Sequence, residues 1–283
     1  ASRGPSWTVA MIDTLTQPFQ FGFMQNAFLV GVMVALPTAL LSCFLVLRGW
    51  ALMGDAVSHA VLPGIVLAWL VGLPLILGAF AAGMVTSLGI GWLAQNSRVK
   101  SDTVMGVVFS GMFALGIVLF VAVPTSLHLD HILFGNLLGV GQQDLWTAGI
   151  IALVVSAGLI LRWKDLMLHA FDPAQARASG LAVAWLHYGL LTALSLTIVA
   201  TLSATGLILA VGLLIAPGAI AFLLVRSFGQ MLMVAVAVCC GAMIAGIYLS
   251  FFLDSAPAPT VVLVLTVTFL LAFARRLRQT ARA

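Results

Sequence analysis

Long unbroken apolar runs, each closed by a short polar segment, follow one another along the chain. They occupy residues 22–47, 55–72, 74–94, 103–123, 145–162, 183–203, 207–225, 231–252 and 258–274. An α-helix needs about 17–25 residues to cross a hydrocarbon core roughly 30 Å thick. Barrel strands would show ~10-residue segments of alternating apolar and polar positions; the runs here are about twice that long and do not alternate. A bilayer core hydrates no backbone group, so helices are the expected spanning form. The pattern predicts an all-α, polytopic transmembrane bundle of about eight or nine spans, the lower count applying if residues 54–72 are only re-entrant. Pro37, Pro63, Pro217, Gly212 and Gly218 fall inside the runs and predict kinks and close helix packing.

Composition agrees. Of 283 residues, 63% are hydrophobic and only 7% charged, against roughly 25% charged in soluble proteins. So little polar material cannot cover a water-facing surface, and lipid must do so. The first ten residues differ in texture from the rest of the chain, and Met11 reads as a natural start. Residues 1–10 are therefore expected to be an expression remnant or a disordered N-terminus, and 11–283 a single transmembrane domain.

Charge placement orients the bundle. Basic residues cluster at Arg48, at Arg98 and Lys100, at Arg162, Lys164 and Arg177, at Arg226, and at Arg275, Arg276 and Arg278. Two spans separate each cluster from the next, so all five face one side if every run crosses. The opposite turns carry Asp130, Asp144 and Asp254 and no Lys or Arg. Basic residues concentrate in cytoplasmic loops, which predicts a multi-pass membrane protein with its C-terminus in the cytoplasm. A net charge of +4 without any basic, aromatic-rich patch argues against nucleic acid as a partner. Cys43, Cys239 and Cys240 lie inside apolar runs and read as small buried hydrophobes.

The chain has eight Asp and no Glu, so an acid within a span requires an explanation. Asp55 and His59 stand four residues apart, on one face of a helix. A carboxylate and an imidazole aimed at one point can grip a divalent cation. Hard oxygen plus borderline nitrogen suits manganese or ferrous iron, and zinc accepts the same set. Two ligands are too few for a closed site; a second copy from a partner chain would give four, and water could complete six. Asp55 as the N-cap of the second span, and His59 as a packed histidine bonded to a neighbouring helix, are the competing structural readings.

Two polar islands remain. On the outer side, His128, Asp130 and His131 read first as a solvated loop or a docking surface for another protein, and second as a cation-entry site. On the inner side, Phe171-Asp-Pro-Ala-Gln-Ala-Arg-Ala-Ser-Gly180 is a capped short helix in outline: Asp172 caps it, Pro173 takes the first position and Gly180 ends it. His169 and His187 flank this island and are expected to meet lipid headgroups or a partner. The chain lacks a G-x-x-x-x-G-K-[ST] phosphate loop, H-E-x-x-H and G-x-S-x-G, which argues against ATP hydrolysis by this chain, an intramembrane protease and a hydrolase.

The stretch Leu47-Arg-Gly-Trp-Ala-Leu-Met-Gly-Asp-Ala-Val-Ser-His-Ala-Val-Leu-Pro-Gly64 resembles the permease subunits of ATP-binding-cassette importers for manganese, iron and zinc, the ABC-3 family. Further matching stretches are Ser101-Asp-Thr-Val-Met-Gly106, His128-Leu-Asp-His-Ile-Leu-Phe-Gly135, Trp163-Lys-Asp-Leu166, Leu213-Leu-Ile-Ala-Pro-Gly218 and Ser250-Phe-Phe-Leu-Asp-Ser-Ala-Pro-Ala-Pro-Thr260. Within the family the chain is most similar to the second permease of Sit/Yfe-type manganese and chelated-iron systems. The resemblance implies that residues 11–283 form one permease domain of a non-catalytic subunit without a permanent cofactor. It implies transport of Mn2+ or Fe2+ in preference to Zn2+ by alternating access. It implies three partners: cytoplasmic ATP-binding subunits, a second permease (a paralogue rather than an identical chain) and a periplasmic metal-binding protein. It assigns the metal to Asp55 and His59, and ATPase coupling to a helix near 171–181 that includes Phe171, Asp172, Pro173, Gly180 and Leu181. A proton-driven metal transporter working without an ATPase, with Asp55 as proton relay, is the alternative. An intramembrane enzyme using Asp55 and His59 would need a third catalytic group at that depth, and the sequence offers none.

Overall fold

Each apolar run closes into one helix. The computed structural model describes residues 16–123, 135 and 137–280. In chain order the helices are α1 (Gly22–Leu47), α2 (Met53–Val71), α3 (Leu75–Asn96), α4 (Ser101–Ala122), α5 (Gln142–Leu161), α6 (Trp163–Phe171), α7 (Pro173–Ala178), α8 (Val183–Thr205), α9 (Leu207–Leu224), α10 (Phe228–Leu253) and α11 (Pro257–Thr280). Among the described residues, nine of these are long and apolar enough to cross a membrane. Helix α2 runs unbroken for 19 residues, about 28 Å at 1.5 Å per residue. That is a spanning length rather than a re-entrant one. The last helix outruns its apolar stretch by two turns, carrying Arg275, Arg276 and Arg278 on helical backbone. Hydropathy marks the embedded part of a helix, and arginine continues a helix well in water.

α1 is the central post. It packs against α9, α10 and α5, and its C-terminal half from Val34 to Leu45 is nearly all buried. Pro37, Pro63 and Pro217 lie inside α1, α2 and α9. Lipid gives no hydrophobic drive for helices to associate, so close packing of small residues must supply it. The α2–α3 hairpin shows this. A Cβ on Gly64 would collide with the Gly78 carbonyl, and one on Gly78 with the Gly64 carbonyl. The two backbones are as close as glycine permits, and α2 is held on that side. On another side, a Cβ on Gly116 of α4 would lie 2.9 Å from Leu62 and Pro63 of α2. α2 is thus wedged between α3 and α4.

Large apolar side chains remain uncovered on the outer faces, Val107 and Val121 of α4 and Leu153 and Leu161 of α5 among them. Exposed apolar side chains in such number fit lipid or another membrane subunit. Residues 1–10 and the outer His128, Asp130 and His131 lie outside the described residues.

Candidate functional site

Asp55 and His59 both lie on α2, in its first two turns. Helix α2 starts at Met53, with Leu52 as its N-cap and no side-chain capping bond. Asp55 is the third helical residue and so does not cap the helix, although an acid in the first turn still favours the helix dipole. From Met53 to Val66 every residue is buried except Asp55 and His59. Their side chains keep 31% and 17% of their surface, respectively. Within this stretch of α2 the two ionisable residues are also the two uncovered ones.

His59 Nε2 lies 3.3 Å from Asp55 Oδ1. A cation bonding a carboxylate oxygen and an imidazole nitrogen at about 2.1 Å each spaces them about 3 Å apart at a right angle. The two atoms already stand near the separation that a shared ion imposes. Among the described residues no third His, Cys, Asp or Glu joins them to complete a metal cluster. The pair offers two donor atoms, and among the described residues His59 Nδ1 is buried without a hydrogen-bond partner.

Two phenylalanines of α4 fix the imidazole. The Phe109 and Phe113 ring centroids lie 4.7 and 4.8 Å from that of His59, at 76° and 84° to its plane. The two phenyl planes are 8° from parallel, so the histidine ring meets both at nearly a right angle. Edge-to-face contacts of this kind are favourable, and here they leave the ring little freedom to turn away from Asp55. In sequence these phenylalanines read as lipid-facing or packing residues, which misses this role. The available signal is their i, i+4 spacing on the fourth run, which puts both on one helical face.

The inner island folds as its residues predict. Asp172 Oδ1 accepts hydrogen bonds from the Ala174 and Gln175 amides, both 2.9 Å, and Pro173 opens α7. Gly180, at φ 77°, ends it with the paired bonds Gly180 N to Arg177 O and Leu181 N to Ala176 O, both 3.0 Å. Phe171 stands 65% exposed beside this helix.

Arg48 ties the island to the bundle. It donates from Nη2 to His169 Nε2 at 2.6 Å and to the His169 carbonyl at 3.3 Å, and from Nη1 to His187 Nδ1 at 3.2 Å. Its guanidinium carbon lies 4.5 Å from the Trp50 ring centroid. Arginine only donates, so the two histidine nitrogens it meets are acceptors and carry no proton. Burial, followed by the positive fields of Arg48, His187 and Arg177, lowers His169 to a pKa of about 4. The sequence places His169 toward headgroups or a partner. Instead it turns inward and is only 3% exposed, because α6 is amphipathic and presents His169 and Leu166 to the bundle.

Residues 20–276 match the ABC 3 transport family. The chain is 52% identical over 266 residues to the chelated iron transport system membrane protein YfeD of Yersinia pestis, covering 93% of this chain and 88% of that one. It is 44% identical over 261 residues to the manganese transport system membrane protein MntB of Synechocystis sp., covering 91% and 84%. In structure it resembles a chain of PsaBC from Streptococcus pneumoniae, solved in complex with Fab. The TM-score is 0.83 at 34% identity, over 93% of this chain and 95% of that one.

Proposed function

The chain belongs to the ABC 3 transport family, and from that premise we propose that it is the permease subunit of an importer for manganese and iron. The observation that carries this reading is the Asp55–His59 pair, with atoms 3.3 Å apart, the two uncovered residues in a stretch of α2 otherwise buried from Met53 to Val66. The pair binds the cation as substrate, and a second permease facing this slot supplies the remaining ligands. A divalent ion sheds its water only where other ligands replace it. Two half-sites meeting at a subunit interface replace that water when they close and release the ion when they part. The names of YfeD and MntB support iron and manganese as the metals.

The driving force comes from outside the chain. The island from Phe171 to Leu181 is the surface on which an ATP-binding subunit pushes, with Phe171 as its exposed apolar contact. Arg48 transmits that movement. It grips His169 on the island side and leads after five residues into Met53, the first residue of α2. ATP binding and hydrolysis rock the two permeases, and the site opens alternately to each side. A binding protein delivers the ion on the face opposite the basic clusters. The regular placement of those clusters supports a cytoplasmic C-terminus in the inner membrane. A proton-driven chain working alone would have no use for a capped docking helix.

The test is uptake of labelled manganese and iron by cells expressing the complete transport system. Asp55→Ala is expected to abolish uptake at unchanged membrane abundance. Asp55→Ala protein that is well inserted and transports at the wild-type rate would overturn the assignment, and uptake by the chain without ATP-binding subunits would overturn the importer reading as a whole.

A further inference from the structure

Among the described residues no carboxylate pairs with the positive cluster around Arg48. The ion pairs among the described residues are Asp55 with His59 and Arg162 with Asp165, and Arg48 and Arg177 take part in neither. Arg48 is half-buried, and every side chain it bonds is a neutral acceptor. Partial burial of a guanidinium without an anion is costly. Of its five N–H donors, three are used among the described residues, which leaves two there.

These groups line a cavity of about 770 Å³ bounded by Arg48, Trp50, His169, Arg177, His187 and Tyr188. At Ala182 and Tyr188 the cavity meets a second hollow of about 730 Å³, a groove between α5 and α8. The groove is apolar along its length, through Val155, Leu159, Leu190 and Leu196, and Arg162 stands at its end. Tyr188 sits where groove and cavity join and Trp185, 81% exposed, lines the groove; both are the kind of side chain that settles at headgroup level. The cationic chamber lies at the ends of membrane-crossing helices, and the apolar groove runs back along them.

We infer that this composite hollow is a binding site for an anionic phospholipid, with the phosphodiester headgroup in the Arg48–Arg177 chamber and an acyl chain in the α5–α8 groove. The headgroup supplies the charge that the cluster lacks, and it takes the unused guanidinium donors through the charge-assisted geometry that arginine offers phosphate. A free phosphate gains nothing from the groove. A carboxylate from a docked ATP-binding subunit gains nothing from it either. Because the headgroup site touches both Arg48 and Arg177 of α7, a bound lipid stiffens the joint between the island and the bundle.

The experiment uses the full chain purified with its co-expressed partner subunits, in phosphatidylcholine nanodiscs with graded phosphatidylglycerol. Native mass spectrometry reads retained lipid, and thermal melting reads stability. Wild type is expected to retain phosphatidylglycerol over phosphatidylcholine and to melt higher as its fraction rises. Arg48→Gln and Arg177→Gln should each weaken that preference roughly fivefold. Arg177 is exposed and makes no side-chain hydrogen bond or ion pair among the described residues, so Arg177→Gln carries the test even if Arg48→Gln fails to assemble, and Arg177→Lys should restore the preference. Equal retention of both lipids by wild type, or a preference unchanged in Arg177→Gln, overturns the site. Equal stabilisation by inorganic phosphate in pure phosphatidylcholine overturns the lipid assignment in favour of a free anion. A preference seen only after the ATP-binding subunits are stripped away overturns it in favour of a carboxylate from those subunits.

Discussion

Gly218 donates its amide to Ser42 Oγ at 2.8 Å, and Ser42 in turn donates to the Ile215 carbonyl at 3.1 Å. One serine of α1 thus stitches the turn of α9 that contains Pro217, where proline removes a helical donor. The contact needs glycine: a Cβ at 218 would stand 2.6 Å from the Ser42 backbone. We predict that Ser42→Ala destabilises the detergent-solubilised protein by ~1–3 kcal/mol, the range for an unmet buried hydrogen bond. Gly218→Ala should lower the melting temperature further, because two helices must separate. A Gly218→Ala protein that melts with wild type would show that α1 and α9 are not joined here.

The Phe109–Phe113 slot should matter through the histidine it holds. Loss of a group that orients a metal ligand costs on the order of 10–100-fold in metal affinity or activity. Phe109→Ala and Phe113→Ala are each predicted to depress metal uptake within that range at normal membrane abundance, with Phe→Leu at either position milder. Full uptake by a Phe109→Ala, Phe113→Ala double variant would mean that the imidazole needs no support from α4.

His169 gives the bundle a pH dependence of definite sign. Its folded pKa of about 4 lies below the ordinary histidine value of 6.5, because burial and then the Arg48, His187 and Arg177 charges oppose protonation. Between those values the unfolded chain binds the proton and the folded chain does not, so stability rises with pH. The stabilisation is fully present above about pH 6.5 and is lost as pH falls toward 4. Melting curves from about pH 7.5 to about 4.5, a range that brackets this titration, should show a steeper acid decline for wild type than for His169→Gln. Parallel declines would contradict the inward, unprotonated histidine.

Much of this architecture is legible in the sequence, for a physical reason. Nothing polar is tolerated at lipid depth without cause, so the runs that become α1 and α9 are visible by hydropathy, and Asp55 and His59 stand out as exceptions. The Asp172-Pro173 start and Gly180 stop of α7 are equally local, since caps act within a few residues. The illegible part depends on which face of each helix turns inward. In an apolar run the lipid face and the core face share the same residue types, so the i, i+4 spacing of Phe109 and Phe113 puts them on one face of α4 without saying which way that face turns. The Arg48 contacts with His169 and His187 join positions 121 and 139 residues apart. Only the folding of α6 and α8 against the end of α1 brings them together.

The most direct test of the metal path is uptake of labelled manganese and iron into cells expressing the whole transport system, comparing wild type with His59→Ala at matched membrane abundance and verified ATP-binding subunit assembly. The account predicts that His59→Ala loses uptake of both metals while the complex still assembles. Uptake at the wild-type rate would make His59 a packing histidine and remove the metal from the α2 slot.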